Sequence, residues 1–115
     1  TPGRVRSPLE EVFLPFLRRH RLPLPQLNAW LEVGGRRCQV DCLWPAQRQI
    51  VELDGWQAHG TRFAFRDDRA SDRRLHIAGY SITRLTWSQL EDEPAAIAHD
   101  LRILLNTNVR DNVQP

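Results

Sequence analysis

The sequence predicts an α/β domain in which helices flank a mixed four-stranded sheet and a further helix follows at the C-terminal end. Three observations support this class. Two segments begin with helix-capping residues and continue with apolar residues at helical spacing. Four shorter runs are rich in apolar and β-branched residues and end at Gly, Pro or polar residues. The order helix, three strands, helix, strand, helix places a crossover after a meander, which produces a mixed sheet.

The first helix is predicted to begin at Ser7, which with Glu10 has the spacing of a capping box. Leucine, valine and phenylalanine side chains then recur at helical spacing, so one face should pack on a core. Pro15 falls inside this helix and should bend or split it. Two prolines within residues 22–25 then require an extended segment.

Three strands should follow the first helix. The first covers Gln26–Val33, and the Gly34-Gly35 pair predicts a hairpin turn into the second strand, Cys38–Trp44. The third strand covers Gln49–Gly55. Adjacent antiparallel pairing is therefore expected for all three.

A second helix is predicted from Arg66 to Ala78, because Gly79 is a favourable residue just past a helix end. Tyr80–Trp87 should form the fourth strand, and residues 88–91 have a capping-box pattern ahead of a helix from Pro94. Residues 1–105 are thus expected to form one domain, with 106–115 as a polar tail.

Carboxylates interrupt two of the predicted strands. Side chains alternate across a strand, so Glu52 and Asp54 should share one face of the third strand. On the second strand Asp41 should lie opposite an apolar face formed by Cys38, Val40, Cys42 and Trp44. Hairpin pairing would bring Asp41 beside Glu52 or Asp54, and such a cluster repels itself unless a cation or a shared proton compensates it.

The carboxylate cluster therefore predicts a divalent-metal site, with Mg²⁺ as the expected ion and Mn²⁺ as the alternative. The competing interpretation is that one or more of these acids simply faces water from a sheet edge. Cys38 and Cys42 lack a second cysteine pair or nearby histidines, so no structural zinc site is expected.

Length and composition set further bounds. A chain of 115 residues with 41% hydrophobic residues is long enough for one domain with a modest core. No apolar run approaches the roughly 20 residues that cross a bilayer, and no signal peptide is visible, so a cytoplasmic protein is expected. The absence of methionine, including an initiator, indicates a fragment of a longer protein or a processed one, and further domains of the parent chain are expected.

All 16 basic residues are arginines. Arginine makes bidentate contacts with phosphate, which makes a nucleic-acid partner plausible. A coding sequence rich in G and C would also favour arginine over lysine, so composition alone leaves both explanations open.

The element order and the spacing of the acids resemble the PD-(D/E)XK nuclease superfamily. The chain is most similar to its DUF559 branch, which is related to very-short-patch mismatch repair endonucleases. The resemblance extends from Arg6 to about Leu105, and it rests on Ser7-Pro8-x-Glu10, Val40-Asp41, Val51-Glu52-Leu53-Asp54-Gly55 with His59, Asp67-x-Arg69, Asp72-Arg73-x-Leu75, Ala78-Gly79-Tyr80 and Arg84 to Trp87.

The resemblance implies a restriction-endonuclease-like αβββαβ core and a role for each motif residue. Asp41, Glu52 and the backbone carbonyl of Leu53 match the metal ligands of the superfamily. Asp54 stands where lysine is usual, so His59 is the expected general base. The zinc ligands of the repair enzymes are not matched.

Other motif residues have two interpretations each. Glu10 could contact the metal or its water, although the capping box alone explains it. Arg66, Arg69 and Arg73 form a stripe that would contact DNA phosphates or, with Asp68 and Asp72, form a solvated salt-bridged face. Trp56 could stack on a base, and His59 could merely cap a turn. The remaining tryptophans are expected in the core.

The sequence thus favours a Mg²⁺-dependent DNA endonuclease with a restriction-endonuclease-like fold, in the setting of DNA repair. The main alternative is a catalytically inactive DNA-binding module with the same fold inside a larger regulatory or defence protein, which the lack of lysine favours. A structural or protein-interaction domain without nucleic acid is the third.

Overall fold

The computed structural model describes the backbone of residues 7–55 and 65–106, and all their side chains except those of residues 65–68. A π-helical turn, Leu9–Phe13, precedes the first α-helix. In chain order the elements are α1 (Leu14–Arg19), β1 (Gln26–Val33), β2 (Arg36–Trp44), β3 (Gln49–Asp54), α2 (Phe65–Ile77), β4 (Ser81–Thr86), α3 (Trp87–Asp92) and α4 (Pro94–Leu104).

The four strands form one mixed sheet in the order β1-β2-β3-β4. The first three strands pair antiparallel, whereas β3 and β4 pair parallel across the α2 crossover. The predicted α/β class is therefore confirmed, as is the predicted extent of the first strand. Within residues 7–55 and 65–106, no helix is long and apolar enough to cross a membrane.

The start of the chain's first helix follows the predicted capping box. The Glu10 N–H donates to the Ser7 hydroxyl, and the Ser7 N–H donates to the Glu10 carboxylate, both at 3.3 Å. The predicted interruption at Pro15 takes the form of a wider turn, in which the Leu14 N–H donates to the Leu9 carbonyl, five residues back. Pro15, the next residue, has no N–H to donate, so the helix changes type where proline would otherwise break it.

Two apolar cores lie on opposite faces of the sheet. The larger core joins the N-terminal helix, α3 and α4 to the sheet residues Cys42, Trp44, Val51, Leu53 and Leu85. The smaller core packs Leu75 of α2 on Ala29, Val33, Val40, Leu43 and Ile50. The sheet is thus covered on both sides, and α2 defines the face on which Glu52 lies.

In both strands of the β1–β2 hairpin, the apolar side chains switch from one face of the sheet to the other at a single point. Cys38 and Val40 contact the smaller core, whereas Cys42 and Trp44 belong to the larger one, so the prediction of a single apolar face on β2 is wrong. Asn28 has a φ of 50°, and the pairing of β1 with β2 skips Asn28 and Asp41 while its register continues unchanged on both sides.

A left-handed residue inside a strand turns the chain and redirects the side chains that follow. Alternation in β1 therefore breaks at Asn28, so that Leu27 packs against the larger core and Ala29 belongs to the smaller one. This exchange leaves Asp41 between the two apolar segments of β2. Simple alternation predicts the position of the Asp41 carboxylate, but in the structure a local distortion of the backbone sets that position.

The helix after β4 begins earlier than the sequence pattern predicted. Thr86 is the N-cap, and its hydroxyl accepts from the Gln89 N–H at 3.0 Å while the Gln89 side chain accepts from the Thr86 N–H. The capping box expected at Ser88 is therefore wrong by two residues. Because Thr86 is also the last residue of β4, the strand passes directly into α3.

The hairpin tip reaches α2. Gly34 and Gly35 both have positive φ, of 59° and 74°, as a tight hairpin turn requires. A Cβ at Gly34 would lie 2.9 Å from Cδ of Arg74, so the turn packs closely on α2. The hairpin turn is thus in contact with the last part of α2.

Candidate functional site

Asp41 and Glu52 come together where β2 and β3 separate. The last paired residues at this end are Cys42 and Val51, and one further step of the same register places Asp41 opposite Glu52. Both residues are half-buried. The predicted juxtaposition of a carboxylate from each strand is therefore present in the structure.

Each carboxylate accepts a backbone hydrogen bond from the opposite strand. The Asp41 N–H donates to Oε2 of Glu52 at 3.0 Å, and the Leu53 N–H donates to Oδ2 of Asp41 at 2.8 Å. These hydrogen bonds take the place of ladder hydrogen bonds and fix both side chains at the opening between the strands. Leu53 buries its own side chain in the larger core, which anchors the backbone beside the two acids.

The environment of Glu52 disfavours its charged form. Burial, followed by the negative charge of Asp41, raises the pKa of Glu52 from its ordinary value of 4.5 to about 7. The Asp41 N–H and the Arg84 guanidinium oppose this rise, and Asp54 adds to it. Holding these two acids together therefore lowers the stability of the folded state, which a pair of neutral polar side chains would not do.

Asp54 lies one side-chain repeat further along the same face of β3. It is half-buried and is paired with Thr86 of β4, and its charge acts on Glu52. No group of three or more His, Cys, Asp or Glu side chains that could hold a metal ion is found within the described ranges, 7–55 and 65–106. The pair Asp41 and Glu52 is therefore the centre of the candidate site, with Asp54 at its edge.

A cavity of about 130 Å³ lies next to Glu52, between α2 and the sheet. Its polar lining consists of Cys38, Gln39, Glu52, Ser71, Asp72 and Arg84. Apolar side chains of the smaller core line the remainder. The cavity thus brings Glu52 of the carboxylate pair near side chains of the second helix.

Asp72 pairs with Arg84 across this cavity. Nη2 of Arg84 donates to both carboxylate oxygens of Asp72, at 2.8 and 2.7 Å. Asp72, one of the acids in the salt-bridged interpretation of the α2 stripe, is thus paired with β4, which presents a guanidinium to it directly. Burial lowers the pKa of Arg84, but the hydrogen bond and charge of Asp72 outweigh it and hold that pKa above its ordinary value.

The other predicted site residues have different outcomes. The carboxylate of Glu10 accepts the Ser7 N–H, as the capping interpretation expects. Arg69 and Arg73 are exposed on α2, which both interpretations of the stripe allow. The predictions for Trp56 and His59, and for the side chain of Arg66, lie outside the described residues.

The two thiols differ in burial but share one electrostatic trend. Burial raises the pKa of Cys42, which is wholly enclosed in the larger core, and that of half-buried Cys38. Both therefore favour the neutral thiol, which is a poor nucleophile and metal ligand. These properties fit two small core residues.

Sequence reasoning missed the Arg84–Asp72 pair because its partners are 12 residues apart on different elements. The parallel pairing of β3 with β4 could have indicated that Arg84 lies next to Glu52, but it gives no signal for Asp72 on α2. A long basic residue beside a half-buried acid is a pair worth testing whenever two strands are predicted to be neighbours.

Comparison with known proteins places the chain in no family. No family model, no curated protein and no solved structure matches it. Its function is therefore argued from its own residues.

Proposed function

We propose that this domain is a Mg²⁺-dependent DNA endonuclease whose reaction centre is formed by Asp41 and Glu52. The observation that carries the proposal is the meeting of these two half-buried carboxylates, each fixed by a backbone N–H of the opposite strand. Perturbed acids beside a cavity are typical of functional sites.

The energetic cost of the pair supports a chemical role. Raising the pKa of Glu52 from 4.5 to about 7 corresponds to a decrease in stability of about 3 kcal/mol once the group is ionised. A glutamine would accept the same Asp41 N–H without that cost. A purely structural contact gives no reason to keep the acid.

The donor set fits a hard divalent cation. Carboxylate oxygens are the ligands that Mg²⁺ prefers, and each carboxylate offers about four lone-pair sites, of which an accepted N–H occupies one. Asp41 and Glu52 would hold the ion, with the backbone carbonyl of Leu53 as the third ligand that the family resemblance implies. The bound ion would polarise the scissile phosphodiester and lower the pKa of a water molecule.

The protein's own groups would handle substrate and proton. His59 follows β3 closely in sequence and is proposed as the base that takes the proton of the attacking water. Asp54, where related nucleases carry lysine, would strengthen that base by its negative charge. Arg66, Arg69 and Arg73 on α2, with Trp56, would contact the DNA outside the reaction centre.

The fold supports this proposal only at the level of its class. The chain has a meander of three antiparallel strands, an α-helical crossover and a parallel fourth strand, and this order is compatible with the restriction-endonuclease-like core that the resemblance implies. An inactive DNA-binding module of the same fold is the second candidate, and the absence of any lysine in the chain favours it.

A plasmid-nicking assay with Mg²⁺, Mn²⁺ or EDTA tests the proposal. Asp41→Asn and Glu52→Gln keep the size of each side chain and an oxygen that accepts the same N–H, so both variants should fold and show metal-dependent cleavage reduced by about a hundredfold or more. Glu32→Gln, an exposed glutamate on β1, is the control and should cleave normally. Undiminished cleavage by either site variant would exclude this reaction centre, and a wild-type protein that binds DNA without cleaving it would favour the inactive module.

A further inference from the structure

Among the side chains that the structure describes, Arg84 is the arginine most closely associated with the carboxylate pair. It is the residue paired with Glu52 in the parallel β3–β4 ladder, and both side chains line the cavity beneath α2. Its positive charge also acts on Glu52. Because the chain contains no lysine, a cation supplied by this protein at the site must be an arginine or a protonated histidine.

The ion pair between Arg84 and Asp72 is suited to the exchange of Asp72 for another anion. The side chains retain 39% and 38% exposure, and ion pairs as exposed as this contribute only about 0–1 kcal/mol. Both hydrogen bonds use the same nitrogen, Nη2. Within the described part of the chain, Nε and Nη1 of Arg84 donate no hydrogen bond, so the guanidinium retains donors for a second anion.

From this geometry we infer that Arg84 binds a phosphate of the DNA backbone beside the carboxylate pair, and that Asp72 masks its charge until the phosphate arrives. The inference rests on the proposed function, because it identifies the protein cation of the same site. Arginine is well suited to this role, since its planar fork contacts two phosphate oxygens at once.

Asp72 has a distinct effect in this arrangement. Its two hydrogen bonds hold Arg84 at the cavity and partly neutralise the charge of the guanidinium. Removing the Asp72 charge should therefore increase attraction for DNA, whereas removing the Arg84 charge should decrease it.

The test measures binding of a fluorescein-labelled DNA duplex by anisotropy in EDTA, at salt concentrations from about 50 to about 300 mM. Arg84→Gln should weaken binding by about fivefold or more and reduce the salt slope by about one. Asp72→Asn should instead strengthen binding and leave the slope equal or steeper. Arg102→Gln, on α4 at the opposite face of the sheet, is the charge-matched control and should alter neither strongly.

The opposite signs of the two effects distinguish this inference from a structural ion pair. If Asp72 and Arg84 only join α2 to β4, both variants should lower the free energy of unfolding by similar amounts and should bind DNA like the Arg102→Gln control. That result would overturn the inference. Weaker binding by both variants would overturn the masking role, and no DNA binding by the wild type would overturn the whole inference. Loss of cleavage alone would not, because binding is measured without metal; the nicking assay decides the proposed function separately.

Discussion

Replacing Glu52 with glutamine should stabilise the protein above neutral pH, because the native site holds a carboxylate in surroundings that disfavour its charge. The pKa of Glu52 is about 7 in the folded state against an ordinary value of 4.5. The folded state therefore binds a proton more tightly than the unfolded state, and stability falls as pH rises from about 4.5 to about 7. Above that interval the decrease is complete.

The size of the effect follows from the width of the interval. From 4.5 to about 7, at roughly 1.4 kcal/mol for each pH unit, the decrease in stability reaches about 3 kcal/mol. This value is an upper limit, because water penetration and local relaxation reduce the cost of a buried charge. Glutamine is neutral throughout and still accepts the Asp41 N–H, so the variant should avoid the decrease.

Urea unfolding at about pH 4.5, 6, 7.5 and 8.5 measures this prediction, with the fluorescence of buried Trp44 contributing to the signal. Glu52→Gln should match the wild type at about pH 4.5 and exceed it by about 1 to 3 kcal/mol at about pH 8.5. The exposed strand residue Glu32 is the control, and Glu32→Gln, which keeps Glu52, should lose stability with rising pH as the wild type does. A difference between wild type and Glu52→Gln that stays constant across the range would refute the electrostatic reasoning.

Three further predictions concern the hairpin, the helix and the proposed base. Asn28→Val should cost about 1–2 kcal/mol of stability in urea unfolding because φ is 50° there, whereas Asn28→Gly should cost none; equal costs would argue against the left-handed residue. Replacing Arg66, Arg69 and Arg73 together with alanine should reduce the salt slope of DNA binding by about one for each phosphate that the helix no longer neutralises, and an unchanged slope would make α2 a solvated face. His59→Ala should lower the cleavage rate by about a hundredfold or more and flatten the rise of that rate with pH; retention of both rate and pH profile would exclude His59 as the base.

Local patterns predicted the elements well because each depends on neighbouring residues. The extent of β1, the Gly34-Gly35 turn and the start of α4 at Pro94 all agree with the structure. The capping box at Ser7 was equally predictable, since its two partners are three residues apart. The capping-box pattern at Ser88 predicted the wrong N-cap. The strand β4 runs directly into α3 there, and Thr86 is both the end of the strand and the N-cap of the helix.

The arrangement of the site depended on features that a simple alternation rule omits. Alternation brought Asp41 to Glu52 but put Cys38, Val40, Cys42 and Trp44 on one face, because it had no signal for the left-handed Asn28. The tryptophans were expected in the core, yet Trp30 is 54% exposed and stacks against Arg37, whose guanidinium lies 4.2 Å from the ring centre. The Arg84–Asp72 pair required knowledge of the parallel ladder and of how α2 lies over it.

The most direct test of the central claim is the anomalous diffraction of Mn²⁺ soaked into crystals of the protein, with crystals of Asp41→Asn as the comparison. The proposed reaction centre predicts a wild-type peak in contact with the carboxylates of both Asp41 and Glu52, and a weakened or absent peak in the variant. Wild-type crystals in which the backbone hydrogen bonds of both acids persist and no Mn²⁺ peak lies beside them would contradict it.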